Sequence, residues 1–126
     1  LDDTYNATPE STIAALDLLS EIKGYKIAVL GDMLELGSYE QSGHEQVGER
    51  AAEVVNYLIT IGTRGEIIAE TAIKHGLPPT ATTCLKDALE AANLLKYNLR
   101  DDCIVLIKGS HSLEMNRISA ILEESA

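Results

Sequence analysis

Aromatic residues are scarce in this chain of 126 residues, which contains no tryptophan, no phenylalanine and five tyrosines. A hydrophobic core must therefore be built from leucine, isoleucine, valine and alanine. Hydrophobic residues still make up 45% of the chain, which excludes a disordered protein. The length is sufficient for one domain of ordinary size with a real core.

Positive charge is also in short supply. Ten lysines and arginines face 20 acidic residues, the formal net charge is −10, and no basic run occurs. This balance argues against nucleic acid and an anionic membrane as partners. No signal peptide and no apolar run of membrane-spanning length is visible, so we expect a cytoplasmic protein. A single nucleotide remains possible, because backbone N–H groups and a metal ion can hold its phosphates.

The chain has two cysteines and three histidines, and neither set has the spacing of a metal site. Cys84 and Cys103 lack CxxC spacing and lie in apolar contexts, which predicts two buried thiols in a reduced protein. A Cys–His nucleophilic pair is the less favoured alternative, because both cysteines fall in or beside predicted strands. His44, near a helix start, is expected to be structural, and His75 and His111 lie on separate elements.

Short apolar runs alternate with helical patterns along the chain. The run at 25–31 is typical of a parallel strand buried on both faces, whereas apolar residues recur at helical spacing over 9–22. This alternation predicts an α/β fold, a Rossmann-like three-layer αβα sandwich with a mostly parallel sheet, in one domain over 1–126. The predicted strands are 1–4, 25–31, 57–62, 81–84 and 103–107, and the predicted helices are 9–22, 44–56, 66–75, 85–98 and 113–124.

Three polar loops follow the carboxyl ends of predicted strands and should share one rim of the sheet, where ligands bind in such folds. They cover 2–8, 31–43 and 108–112. In the first loop, Asp2 and Asp3 suit a metal ion or ribose hydroxyls, or are merely solvated acids; the residues favour neither. Asn6 or Thr8 would also serve as the N-cap of the helix that starts at Pro9.

The other two loops leave similar alternatives open. The second mixes Asp32 and Glu35 with apolar residues, and is either functional or an apolar cover of the sheet edge. The third places Lys108, Gly109 and Ser110 before a helix, which suits a carboxylate or phosphate but also a plain glycine turn. No GxGxxG or Walker A pattern occurs in the chain.

Taken together, these segments resemble the C-terminal domain of a Mur ligase. Within that family they are most similar to the ligases that add D-alanyl-D-alanine to UDP-N-acetylmuramoyl-tripeptide in peptidoglycan synthesis. The resemblance runs through the whole chain and is carried by DDTYNATP at 2–9, GDMLELG at 31–37, His44 with Val47-Gly48, and Lys108-Gly109-Ser110.

The resemblance implies a three-domain, monomeric enzyme whose N-terminal and central domains are not in this sequence. ATP activates the tripeptide carboxylate as an acyl phosphate, which the amine of D-alanyl-D-alanine attacks. The phosphate-binding loop, the Mg²⁺ ligands and a carbamylated lysine belong to the central domain, so no catalytic residue or metal ligand is expected here. This domain would close as a lid, excluding water from the acyl phosphate, and would be inactive alone.

The resemblance also implies site residues. Asp3 matches the acid that binds the ATP ribose, and Asp2, Tyr5 and Asn6 flank the nucleotide. The residues expected beside the dipeptide are Asn6, Thr8, Lys108, Gly109, Ser110 and His111.

Two of these positions depart from the family pattern. Thr8 stands where the family usually has asparagine, and it can still cap a helix or donate a hydrogen bond. His111 stands where the family usually has arginine, whose bidentate hold on a carboxylate a histidine replaces only partly.

The alternative from another class is a free-standing Rossmann-like module that binds a nucleotide or a small acid. A structural domain with no site is the least favoured interpretation, because three polar, glycine-containing loops are predicted on one rim.

Overall fold

A computed structural model describes residues 7–110 of the chain, in which strands and helices alternate. The strands are β1 (Tyr25–Gly31), β2 (Tyr57–Ile61), β3 (Thr82–Leu85) and β4 (Cys103–Lys108). The helices are α1 (Pro9–Ser20), α2 (Glu40–Val54), α3 (Gly65–Lys74) and α4 (Ala88–Asn98), with short 3₁₀ turns at Gly37–Tyr39 and Pro79–Ala81. All strand pairs are parallel, in the order β3-β2-β1-β4.

Helices cover both faces of this sheet. On one face Leu30 of β1 lies in an apolar cluster to which α1, α2 and α3 contribute. On the other face Val29 lies in a second cluster, formed with Leu95 and other apolar residues of α4. Because successive strand residues point to opposite faces, the continuous apolar run of β1 serves both clusters. The predicted three-layer αβα fold is confirmed.

Two helix starts differ from the prediction by more than one residue. Helix α2 begins at Glu40 rather than 44, because a 3₁₀ turn leads directly into it and shortens the loop after β1. Helix α4 begins at Ala88 rather than 85. Asp87 has an extended backbone and its carboxylate accepts a hydrogen bond from the Glu90 N–H at 2.9 Å, so it is the N-cap and not part of the helix.

The prediction of two buried thiols is wrong for Cys84, which is exposed, while Cys103 is partly buried. Cys84 lies on β3, which pairs with β2 and has no strand on its other side among residues 7–110. An edge strand leaves part of its surface open, which the apolar sequence context did not indicate.

None of the helices that the structure describes has the length and apolar character needed to cross a bilayer. The predicted strand at 1–4 and the predicted helix at 113–124 lie outside the described residues.

Candidate functional site

The carboxyl ends of β1, β2 and β4 meet at one rim of the sheet, and each continues into a loop. We call these the β1 loop (32–36), the β2 loop (62–64) and the β4 loop (109–110). The chain that enters α1 reaches the same rim through Ala7.

Asp32, the first residue of the β1 loop, holds the start of α3. Its Oδ1 accepts hydrogen bonds from the backbone N–H groups of Arg64 at 2.9 Å and Gly65 at 3.1 Å. These are donors that a helix start leaves without an intrahelical partner, and a carboxylate also suits the positive end of the helix dipole. Asp32 is only 9% exposed, so its carboxylate is committed to this structural task.

Gly62 allows this close approach. Its φ of +95° lies in a region that side chains rarely adopt, and a Cβ placed there would lie 2.5 Å from Asp32 Oδ2. The β2 loop and the Asp32 carboxylate can therefore be neighbours only because residue 62 has no side chain.

Arg64 is bound by two carboxylates at this rim. Its Nε donates to Glu40 Oε1 at 2.6 Å, and one of its terminal nitrogens lies 3.5 Å from Asp32 Oδ2. The hydrogen bond to Glu40, followed by the attraction of that charge, raises the pKa of the Arg64 guanidinium above its ordinary value. An arginine is positively charged throughout the physiological range, and here the carboxylates of Glu40 and Asp32 balance that charge.

The buried side chain of His44 holds the β1 loop through a hydrogen bond to its backbone. It is completely buried, its Nε2 accepts the Met33 N–H at 3.1 Å, and its Nδ1 lies 2.6 Å from the Glu40 carbonyl oxygen. Both contacts are hydrogen bonds only for a neutral imidazole with its proton on Nδ1. His44 is thus structural, as expected from its position.

The apolar part of the β1 loop covers the sheet edge. Met33 is 1% exposed and belongs to the same core cluster as Leu30, and its sulfur lies 3.8 Å from the Thr12 hydroxyl. For Met33, the interpretation of the apolar loop residues as a cover is therefore confirmed.

Ser110 of the β4 loop contacts both of the other predicted loops. Its N–H donates to the Asp32 carbonyl at 2.9 Å, and its hydroxyl accepts the Leu34 N–H at 2.8 Å. The hydroxyl also donates to the Ala7 carbonyl at 3.5 Å. The prediction that the three loops share one rim is confirmed for their described parts.

Two further predicted site residues have clear structural positions. Thr8 is the N-cap of α1: its hydroxyl accepts the Ser11 N–H at 3.1 Å, and the Ser11 hydroxyl accepts the Thr8 N–H at 2.9 Å. Lys108 is the last residue of β4 and is 2% exposed, and buried Gly109 follows it. Their roles toward a substrate stay predictions.

The predicted nucleotide residues Asp2, Asp3, Tyr5 and Asn6 lie outside the described residues, as does His111. Within residues 7–110, no group of three or more His, Cys, Asp or Glu residues is arranged to hold a metal ion.

Sequence reasoning missed Arg64 and Glu40. The available signal for Arg64 was an arginine three residues after the end of β2, with Asp32, an acid, directly after the neighbouring strand β1. Parallel neighbouring strands bring such residues to one rim, so their pairing could have been proposed.

The chain is an α/β domain with a parallel sheet, and its loops meet at the carboxyl ends of the strands. This is the edge of the sheet at which Rossmann-like proteins bind ligands. Residues 1–111 match the family described as "Mur ligase, glutamate ligase domain", and the chain belongs to this family.

Individual relatives agree with this assignment. The chain is 36% identical to UDP-N-acetylmuramoyl-tripeptide–D-alanyl-D-alanine ligase of Bacillus subtilis, in an alignment covering 99% of this chain and 28% of that protein. The Escherichia coli ligase of the same name is 34% identical, with 99% and 27% covered. The chain thus spans little more than a quarter of the length of these relatives.

Solved structures of relatives share the fold. A crystal structure of MurF from Acinetobacter baumannii superposes with a TM-score of 0.79 at 31% identity, covering 97% of this chain and 27% of that one. MurF from Thermotoga maritima in complex with ADP gives a TM-score of 0.77 at 27% identity, covering 98% and 28%.

Proposed function

We propose that this chain is the C-terminal domain of a ligase that uses ATP to join D-alanyl-D-alanine to UDP-N-acetylmuramoyl-tripeptide. The observation that carries the proposal is its similarity, over 99% of its length, to two ligases named for this activity. The N-terminal and central domains would be supplied by the rest of the same protein. We place that protein in the cytoplasm as a monomer.

The nucleotide side of the site is assigned to the opening loop. Asp3 would accept hydrogen bonds from the ATP ribose, with Asp2, Tyr5 and Asn6 beside the nucleotide. The ADP complex of a relative supports nucleotide binding by proteins of this kind. The position of Ala7 at the rim supports the placement, because this residue directly follows the loop and contacts Ser110.

The dipeptide side is assigned to the β4 loop. We place the dipeptide carboxylate against Gly109, with Ser110 beside it in the same loop and Lys108 as the cation of the site. Asn6, Thr8 and His111 would flank the dipeptide. Contact between the β4 loop and Ala7 supports a shared site, since ATP and dipeptide would then bind side by side.

The reaction itself would be carried out largely outside this chain. Mg²⁺ would neutralise the phosphate charge, and its ligands would come from the central domain. The present domain would act as a lid, because closing its rim over the acyl phosphate keeps out water that would hydrolyse it.

The proposal is tested with the full-length protein. Phosphate release from ATP should require both UDP-N-acetylmuramoyl-tripeptide and D-alanyl-D-alanine, and omission of the dipeptide is the control. Nucleotide binding without dipeptide-dependent phosphate release would contradict the ligase proposal and favour a binding module.

The ribose assignment has its own test. Asp3→Ala should raise the KM for ATP, because the ribose loses a charged hydrogen-bond acceptor, whereas Asp17→Ala on the exposed face of α1 should not. An unchanged KM for ATP in Asp3→Ala would remove Asp3 from the nucleotide site.

A further inference from the structure

Ser110, in the β4 loop, contacts both the chain entering α1 and the β1 loop. We propose that Ser110 is a positioning residue: its hydroxyl holds the nucleotide side and the dipeptide side of the site in one arrangement, and is not itself a ligand of the dipeptide carboxylate. This inference rests on the proposed function for the identity of the two ligands.

The first support is that both hydrogen-bond donors of Ser110 are already in use. A serine has two donors, its N–H and its O–H, and a carboxylate can only accept. The Ser110 N–H already donates to the Asp32 carbonyl, and its O–H donates to the Ala7 carbonyl. Binding a carboxylate would therefore break one of the two contacts that hold the loops together.

The second support is that one side of this junction is anchored. The Asp32 carboxylate is bound to the start of α3, and the Met33 N–H is bound to the buried ring of His44. The β1 loop is therefore fixed at Asp32 and Met33, next to the two positions where Ser110 contacts it. Ser110 connects this fixed loop to Ala7, because its hydroxyl donates to the Ala7 carbonyl. Ala7 is 6% exposed and directly follows the proposed nucleotide loop.

The consequence distinguishes a positioning residue from a ligand. Loss of the hydroxyl should loosen the chain at Ala7 and the β4 loop together, so both substrates should bind less well. Loss of a direct ligand should affect the dipeptide alone.

The experiment uses the full-length protein with Ser110→Ala, and with Ser110→Thr as the variant that keeps the hydroxyl. We expect Ser110→Ala to raise the KM for ATP and the KM for D-alanyl-D-alanine, each about threefold to tenfold, which corresponds to one hydrogen bond. Ser110→Thr should restore both values toward wild type. Ser42→Ala, at an exposed position of α2, is the matched control and should change neither.

A second measurement does not depend on catalysis. Hydrogen exchange at the Leu34 amide should be faster in Ser110→Ala than in wild type without substrates, because this amide loses its acceptor. If the alanine variant folds poorly, Ser110→Cys takes its place. Because sulfur is a weaker acceptor than a hydroxyl oxygen, the Leu34 amide should exchange faster in this variant than in wild type.

Several results would overturn the inference. They are a rise in the KM for the dipeptide alone, no rise in either KM, or unchanged exchange at Leu34. If wild-type protein showed no dipeptide-dependent phosphate release while Leu34 exchange rose as expected, the proposed function would fail and the junction itself would stand.

Discussion

Thr60 is a buried residue of β2 whose hydroxyl has no hydrogen-bond partner among the residues that the structure describes. Burying a hydroxyl without a partner costs free energy, because its contacts with water are lost and not replaced. Thr60→Val keeps the shape of the side chain and removes this cost. We expect it to raise the free energy of unfolding by about 1 kcal/mol, measured by urea denaturation of the 126-residue chain.

The control for this substitution is Thr71→Val on α3. The Thr71 hydroxyl donates to the Ile67 carbonyl at 2.8 Å, so its removal should bring no gain. A loss of stability in Thr60→Val would mean that the Thr60 hydroxyl does have a partner.

Single residues were predictable where a local rule decides their role. Thr8 was among the predicted N-caps because a hydroxyl directly before Pro9 suits a helix start. The contact between Asp32 and Arg64 was not predicted, since it joins loops 32 residues apart and depends on strand order. The exposure of Cys84 was missed for the same reason, because the sequence does not state which strand lies at the edge.

Helix α2 packs against α3 at a glycine. A Cβ at Gly48 would lie 2.5 Å from the Ile68 carbonyl oxygen and 2.8 Å from Thr71 Cβ, so the two helix backbones come unusually close there. The glycine is therefore a requirement of packing rather than a weakness of the helix.

Gly48→Ala should consequently destabilise the chain. Alanine improves helix propensity by about 1 kcal/mol, but forcing a methyl group against a backbone oxygen costs about 1–3 kcal/mol. We expect a net loss of stability in chemical denaturation. Ser42→Ala, at an exposed position of the same helix, removes only a 3.5 Å contact between its hydroxyl and the Tyr39 carbonyl and should give a small gain from helix propensity. A similar gain in Gly48→Ala would show that the helices can separate without cost.

Strands were predicted more accurately than helix starts. The β1 run is continuously apolar and ends at a glycine, so its bounds at 25 and 31 agree with the structure. The start of α2 was placed four residues late, because Glu40 to Gly43 are polar or small and resemble a loop. Polar residues are common in a first helical turn, where they face solvent, so this boundary is poorly marked in sequence.

The chain carries two apolar clusters, one on each face of the sheet, and this was predictable from strand–helix alternation. The assembly of the candidate site was predictable only in part. The rim follows from the parallel topology, whereas the junction at Ser110 requires that β4 lies beside β1, although these strands are far apart in the chain.

Expressed alone, residues 1–126 should fold but not catalyse. Apolar clusters on both faces of the sheet form a core, so we expect the chain to unfold cooperatively. Circular dichroism would show this as a single thermal transition. No phosphate release should occur with ATP, the tripeptide and the dipeptide, because no phosphate-binding loop motif is present in the sequence. Full-length protein under the same conditions is the control, and ATP-dependent phosphate release by the 126-residue chain would contradict the placement of the chemistry in other domains.

Within residues 7–110 no strand pairs with the outer side of β3, and this has a consequence for behaviour at high concentration. A long, unpaired strand edge invites another molecule to add its own strand, which is a route to aggregation. Here β3 has four residues, and Pro78 and Pro79 precede it closely, so the paired stretch cannot lengthen in that direction. A neighbouring molecule would find few free backbone groups on β3, so this edge is a poor template for the addition of a strand from another copy of the domain.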